Sequence, residues 1–389
     1  MLFQVPQLDE RELQVIERIE SLKKQLRFAL STPVRWEGLL RRMTLARAIQ
    51  GSNTIEGYNI TVDDAIALAE GEDPLEAEDE AWAAVSGYQR AMTYVLRLAG
   101  DPYFKYSSDL VRSLHFMMLE YDLGKSPGQW RTGEIFVHDD AQKRVVYYGP
   151  DADDVPSLVE ELIGYLNSER PGTPDLVCAS MAHLNLVMIH PFRDGNGRMA
   201  RVLQTLVLAR SGTLAPTFSS IEEYLGRNTR AYYEVLADVG GGRWNPARNP
   251  RVWVRFCLTA HFRQATTLLR RTERMRRIWD AAEEEVTKRS LPDRLIFALV
   301  DATYGYKVRN ATYRPAAEVT DNLASRDLKA LVDAGLLIPK GERRGRYYVG
   351  SETLMAIREA TRPKKAVEDP FVTVEPYLPG LGPDESHGG

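Results

Sequence analysis

The chain has 389 residues, of which 44% are hydrophobic and 27% charged, and a formal net charge of -4. That length exceeds the usual span of one hydrophobic core, so two or three domains are expected. The near-neutral charge balance removes non-specific nucleic-acid binding by the chain as a whole from consideration.

In chain order, Leu13, Ile16, Ile19, Leu22 and Leu26 recur every three or four residues and predict one apolar helix face. Pro33 interrupts, and a second helix runs from about Trp36 towards Ser52. Thr61 followed by Asp64 resembles a capping box and opens another helix. Further helices are expected near 78–99, 107–122, 154–168, 174–189 and 197–211. One segment, GEIFVHDDAQKRVVYYGP, breaks the pattern. Its β-rich runs at 134–138 and 144–148 flank the polar stretch Asp139 to Lys143, which predicts a hairpin with a mobile tip. His138 on that hairpin reads as a surface residue.

A long helix follows over roughly 250–289, and composition changes at Leu291-Pro292-Asp293. Residues 291–360 read as helix, short helix, helix and hairpin, the order of a winged helix-turn-helix. Arg326 and Lys329 fall on its recognition helix, and Lys340, Arg343, Arg344 and Arg346 on the wing. Asp321, Asp327 and Asp333 dilute this basic patch, which favours a protein partner over DNA. The tail 361–389, rich in Pro, Gly and charge, is expected to be disordered. No apolar run reaches the ~18 residues of a membrane span. The opening MLFQVPQLDERE has no leader pattern, and Cys178 and Cys257 lack metal-ligand spacing. A cytoplasmic protein with two buried thiols is the expectation.

The chemistry is concentrated in His190-Pro-Phe-Arg-Asp-Gly-Asn-Gly-Arg-Met-Ala-Arg201. An apolar run ends at His190 and a new helical pattern starts near Gly197, so a short loop with two glycines leads into a helix N-terminus. Such a loop gathers backbone N–H groups around one point and suits a phosphate. Gly195 and Gly197 permit close backbone approach. Asp194 supplies a hard oxygen of the kind magnesium prefers, and Arg198 and Arg201, three apart, share a helix face. His190 at the loop entrance can take a proton near neutral pH, and Phe192 points inward as an anchor. DGNG alone is usually a turn, but eight specified positions in twelve residues arise by chance with odds on the order of one in ten million.

At every fixed position this segment resembles the Fic family signature, His-x-Phe-x-(Asp/Glu)-Gly-Asn-Gly-Arg-x-x-Arg, and the resemblance extends over roughly 50–265. It implies a mainly α fold: an N-terminal helical region over 1–105, a core over 106–265 with a hairpin flap at 134–148, and a connecting helix at 266–290 ahead of the winged helix. It further implies transfer of AMP from ATP, with Mg2+, to a Ser, Thr or Tyr hydroxyl of a target protein docked at the flap, or of the chain itself. By resemblance, His190 is the base and Asp194 the magnesium ligand. Gly195, Asn196 and Gly197 line the anion hole, Arg198 and Arg201 hold the β- and γ-phosphates, and Arg193 belongs to the same set. Gly195 itself matches nucleotidyl transfer, where a lysine would have pointed to kinase-like members. Tyr232 and Tyr233 match a tyrosine pair near the nucleotide, or equally pack in the core. The chain departs from many relatives in carrying Gly240 near a position where they place asparagine.

Ser52-Asn53-Thr54-Ile55-Glu56-Gly57 resembles the family's inhibitory motif. Ser52 and Glu56 are four apart on one helix face near 45–57, with Gly57 as C-cap. The resemblance implies that Glu56 pairs with Arg201 and keeps it from the γ-phosphate. Two alternatives compete with this reading. A nucleotide-sensing transcription regulator would have no need of His190. A metal-dependent hydrolase lacks ligands, with six histidines and no H-x-x-x-H pair. A homodimer and other nucleotide donors stay open.

Overall fold

The computed structural model describes residues 1–31, 34–74, 76–139, 144–212, 218, 220–342, 345–363 and 366–372. The hairpin tip at 140–143, the His138 side chain, Arg343, Arg344 and the tail from 373 onward carried expectations and lie outside the described residues.

The first helix, α1 (Glu10–Ala29), starts at a capping box in which Asp9 and Glu12 bond each other's backbone N–H. Its buried face is Val15, Ile16, Ile19 and Leu26, whereas Leu13 is 46% exposed, contrary to the periodicity reading. The helix is turned so that the Glu12 carboxylate, fully buried, receives Arg251 and Arg255 at 2.8 and 2.7 Å. An ion pair, invisible to an apolar count, thus sets the face.

Next come α2 (Glu37–Ile55), α3 (Val62–Ala69), α4 (Asp79–Leu98) and α5 (Ser108–Leu119). Thr61 caps α3 by accepting from the Asp64 N–H at 3.0 Å, as its position predicts. The hairpin is β1 (Phe136–Asp139) paired antiparallel with β2 (Arg144–Tyr148), with an irregular step between Val137 and His138. After α6 (Val155–Asn167), α7 (Asp175–Ile189) and α8 (Asn196–Arg210) form the centre of the molecule. Both are buried on almost every side, α7 as a nearly apolar helix and α8 with Arg198, Arg201, Gln204 and Thr205 buried among its apolar residues. Around them pack α9 (Glu222–Arg227), α10 (Thr229–Gly240) and α11 (Arg251–Lys288). The Trp253 indole of α11 anchors that packing with a 2.7 Å bond to the Ser180 carbonyl of α7. The helix α11 runs unbroken through 265, from the region expected as core into the one expected as connecting helix. Cys178 and Cys257 are both buried and unpaired.

The C-terminal elements are α12 (Ile296–Tyr304), α13 (Asn310–Ala317), α14 (Asp321–Asp333), β3 (Leu337–Lys340), β4 (Tyr347–Gly350) and α15 (Glu352–Ala360). Their order is the expected helix, helix, helix, hairpin, and Val308 adds an antiparallel bridge to Tyr348 of β4. They pack directly on α2. Asp301 takes both oxygens to Arg42 at 2.6 and 2.7 Å, and Tyr306 accepts from Arg47 at 2.8 Å. On α14, Lys329 pairs with Asp333 at 2.8 Å, and Asp327 is buried beneath Arg294 and Tyr313. No helix among the described residues is long and apolar enough to cross a membrane.

Candidate functional site

The loop 190–195 joins α7 to α8. His190 ends α7 in a left-handed conformation, φ +52°, which turns the chain sharply at that residue. Its Nδ1 lies 3.0 Å from the Val187 carbonyl. A carbonyl only accepts, so Nδ1 carries the proton and Nε2 keeps its lone pair. Burial pushes the imidazole pKa below its ordinary value and keeps the ring neutral.

The loop is held from behind. Phe192 is fully buried and stacks on His115 of α5 with ring centroids 3.6 Å apart. His115 Nδ1 accepts from the Gly128 N–H at 2.8 Å, and its Nε2 donates to the Asp194 carbonyl at 2.9 Å. Burial lowers the His115 pKa to about 4, so it is a neutral strut. The Asn196 side chain braces the loop from within. Its side chain is 2% exposed and clamps Phe192, accepting from the N–H at 2.9 Å and donating to the carbonyl at 2.8 Å. Only its backbone is available to an anion. Gly195 has φ +76° and starts α8, whose first-turn N–H groups have no partner within the helix.

Behind this turn lie two buried guanidinium groups. Arg198 and Arg201 are each 1% exposed. Arg201 donates through Nε to Ser52 Oγ at 2.7 Å, and through Nη2 to the Ser52 carbonyl at 3.0 Å and Glu56 Oε1 at 2.7 Å. Burial disfavours the Arg201 charge, but the neighbouring Glu56 carboxylate outweighs it and holds the pKa above its ordinary value. Arg198 Nε and Nη1 and Arg201 Nη1 are buried without a hydrogen-bond partner. Unpaired buried donors of this kind are costly, and a polyanion would satisfy them. Arg193, by contrast, is exposed and donates to the Gly124 carbonyl at 3.2 Å.

Asp194 is 39% exposed at the mouth. Burial raises its pKa, but Arg198, Lys125 and the Gly195 N–H together bring it below the ordinary carboxylate value. One exposed, ionised carboxylate is what a magnesium ion needs when phosphates and water supply its other ligands. The donor set therefore fits that ion. Among the described residues no three His, Cys, Asp or Glu side chains cluster as a self-sufficient metal site.

Glu56 caps α2 and reaches over the start of α8, where its Oε1 lies against Gly197. Gly57 follows with φ +84°. The tyrosine pair divides: Tyr232 is 1% exposed and bonds His183 at 2.9 Å in the core, while Tyr233 is 46% exposed and donates to the Ile55 carbonyl at 3.1 Å. At Gly240 a side chain would meet the Tyr147 ring at 3.0 Å, so the hairpin occupies the space an asparagine would need. Sequence reasoning missed His115, Lys125 and Arg131. Arg131 donates to the His190 carbonyl at 2.9 Å and fixes the loop entrance. Their only advance signal was their place just ahead of the hairpin.

The sequence and the fold have counterparts among known proteins. Residues 105–208 match the Fic/DOC family model. The fold is similar to that of a Fic family protein from Desulfovibrio desulfuricans G20, with TM-score 0.57, 20% identity, and 90% of this chain and 98% of that one covered. The chain is 25% identical over 297 residues to a protein adenylyltransferase Fic of Nematostella vectensis, spanning 72% of this chain and 63% of that protein. It is 30% identical over 213 residues to a protein adenylyltransferase Fic of Drosophila melanogaster, spanning 54% of this chain and 40% of that one. The chain thus spans between 40% and 63% of the length of these curated relatives.

Proposed function

We propose that this protein transfers AMP from ATP to a Ser, Thr or Tyr hydroxyl of a target protein, or of itself, and that Glu56 restrains the reaction. One observation carries the reading: a neutral imidazole with a free Nε2 stands beside a helix N-terminus backed by buried guanidinium donors without partners. The names of the curated relatives support the same chemistry.

In this reading His190 Nε2 accepts the hydroxyl proton. The hydroxyl oxygen forms a bond to the α-phosphorus, the bond from that phosphorus to the bridging oxygen breaks, and pyrophosphate leaves. Arg198 and Arg201 supply donors to the phosphates, together with the first-turn N–H groups of α8. Asp194 would hold Mg2+, whose chemistry is to neutralise phosphate charge. Glu56 opposes all this by occupying Arg201 Nη2 and the space beside Gly197.

The target is proposed to lie along the hairpin. The free flank of β2 is already used, since the Tyr148 N–H bonds the Gly242 carbonyl at 3.0 Å and the Trp244 N–H bonds the Tyr148 carbonyl at 2.9 Å. An added strand would therefore pair with β1, where Phe136 is 49% exposed. The C-terminal elements are proposed as a protein-interaction module, because Lys329 is paired within its own helix and not held free for DNA phosphates. A cytoplasmic setting belongs to the same proposal, supported by two buried, unpaired thiols.

Intact-mass measurement tests the reading. The purified chain and its Glu56→Gly form are incubated with Mg2+ and each nucleotide in turn. Loss of a charge-assisted bond of about 1.5–3 kcal/mol shifts the balance by roughly tenfold or more, so Glu56→Gly should gain AMP at least about tenfold faster. His190→Ala should gain none. Equal rates with and without Glu56 would remove the restraint, and labelling by His190→Ala would remove the base.

A further inference from the structure

Lys125 closes the short turn Leu123–Lys125 after α5. Its Nζ is 3.1 Å from Asp194 Oδ2, 2.9 Å from the Tyr58 hydroxyl and 3.4 Å from the Tyr121 hydroxyl. Those two hydroxyls are themselves 3.2 Å apart, and the lysine side chain is only 23% exposed. A fixed ammonium thus stands against the carboxylate that the proposed reaction needs for its ion. Arg198 adds a second cation, with Nη2 4.0 Å from the same carboxylate.

From this we infer that Lys125 is a nucleotide-phosphate-binding residue that makes cation binding at Asp194 conditional on the nucleotide. The inference rests on the transferase reading. A divalent ion arriving alone must displace the ammonium from Asp194 or sit beside it, and like charges a few ångströms apart in a half-buried site repel strongly. A polyphosphate removes the conflict. It gives the ammonium, a compact point charge suited to phosphate, another partner and releases Asp194 to the ion. Nucleotide and ion then enter together, and neither binds well alone. The tyrosine hydroxyls keep the ammonium at the mouth during the exchange.

The test uses the full chain in the Glu56→Gly form, with Lys125→Met and Lys125→Arg compared against Lys125. Free Mn2+ is followed by electron paramagnetic resonance as protein is added, first without nucleotide, then with ATP. ATP binding is also titrated calorimetrically in the presence of EDTA. Lys125→Met should bind Mn2+ alone about tenfold tighter and metal-free ATP about tenfold more weakly. Lys125→Arg, which keeps the charge, should stay close to the parent in the Mn2+ titration and shows that the site still folds. If Lys125→Met matches the parent in either titration, the inference is overturned. If the parent does not bind Mn2+ with ATP at all, nucleotidyl transfer is lost as a reading, while the metal-only titration still decides the role of Lys125.

Discussion

At Gly197 the absence of a side chain has two uses. A Cβ there would collide with Glu56 Oε1 and come within 3.1 Å of Arg201 Nη1. The same space therefore holds the Glu56 carboxylate now and, in the proposed reaction, the phosphates. Gly197→Ala should push Glu56 aside, a flexible side chain that can move, yet leave the mouth narrowed. In calorimetry, the Gly197→Ala, Glu56→Gly double variant should bind ATP at least about tenfold more weakly than Glu56→Gly alone. Equal affinity would mean that the nucleotide does not pass over Gly197.

At the scale of elements, α2 owes its position to a contact between two glycines. A Cβ on Gly226 of α9 would lie 2.5 Å from Gly51 Cα, and one on Gly51 would lie 2.5 Å from the Glu222 carbonyl oxygen. These are backbone atoms, which cannot swing away, so the helices approach as closely as they do only because neither residue has a side chain. That approach brings Ser52, one residue on from Gly51, onto Arg201. Gly226→Ala should separate the helices and cost about 1–3 kcal/mol, read as a lower urea midpoint. An unchanged midpoint would show that α2 is positioned by something else.

Across the whole molecule, the C-terminal elements are tied to α2 by buried charge. Arg42 and Asp301 have side chains 8% and 11% exposed, with Glu70 3.5 Å from the same arginine. Removing one partner leaves the other charge buried, so Asp301→Ala should cost about 3–5 kcal/mol in urea unfolding. Stability should also depend on acidity. Burial lowers His183 and His261 to about 3 and His115 to about 4. Below the unfolded value of ~6.5, the unfolded chain binds these protons and the folded chain does not, so stability falls as pH drops. Glu222, raised to about 7 by burial, acts the other way, since the folded state holds its proton above the unfolded pKa. His190, also lowered by burial, adds to these three, while the buried carboxyls of Asp63 and Glu70, raised by burial, side with Glu222. The histidines prevail, and stability should fall by about 1 kcal/mol or more per pH unit between about pH 6 and 5. Flat urea midpoints over that range would contradict the buried, neutral state of the histidines.

The residues from His190 to Arg201 were legible because they form one contiguous stretch, a short loop and the helix start it leads into. Within so short a stretch the glycines and the helix start dictate backbone geometry, whatever surrounds them. The same holds for Thr61 as a cap and Gly57 as a helix end. Helix positions were legible for a related reason, since periodicity acts over neighbouring turns. What no spacing could express was which distant side chains meet. His115 behind Phe192, Lys125 on Asp194 and Arg131 on His190 come from separate elements, between 59 and 77 residues away along the chain. The inward turn of the Asn196 amide, the separation of Tyr232 from Tyr233 and the exposure of Leu13 were decided in the same way. Each depends on how helices rotate and pack against one another, and that rotation is set by buried ion pairs and glycine contacts between elements, not by the local pattern of any one of them.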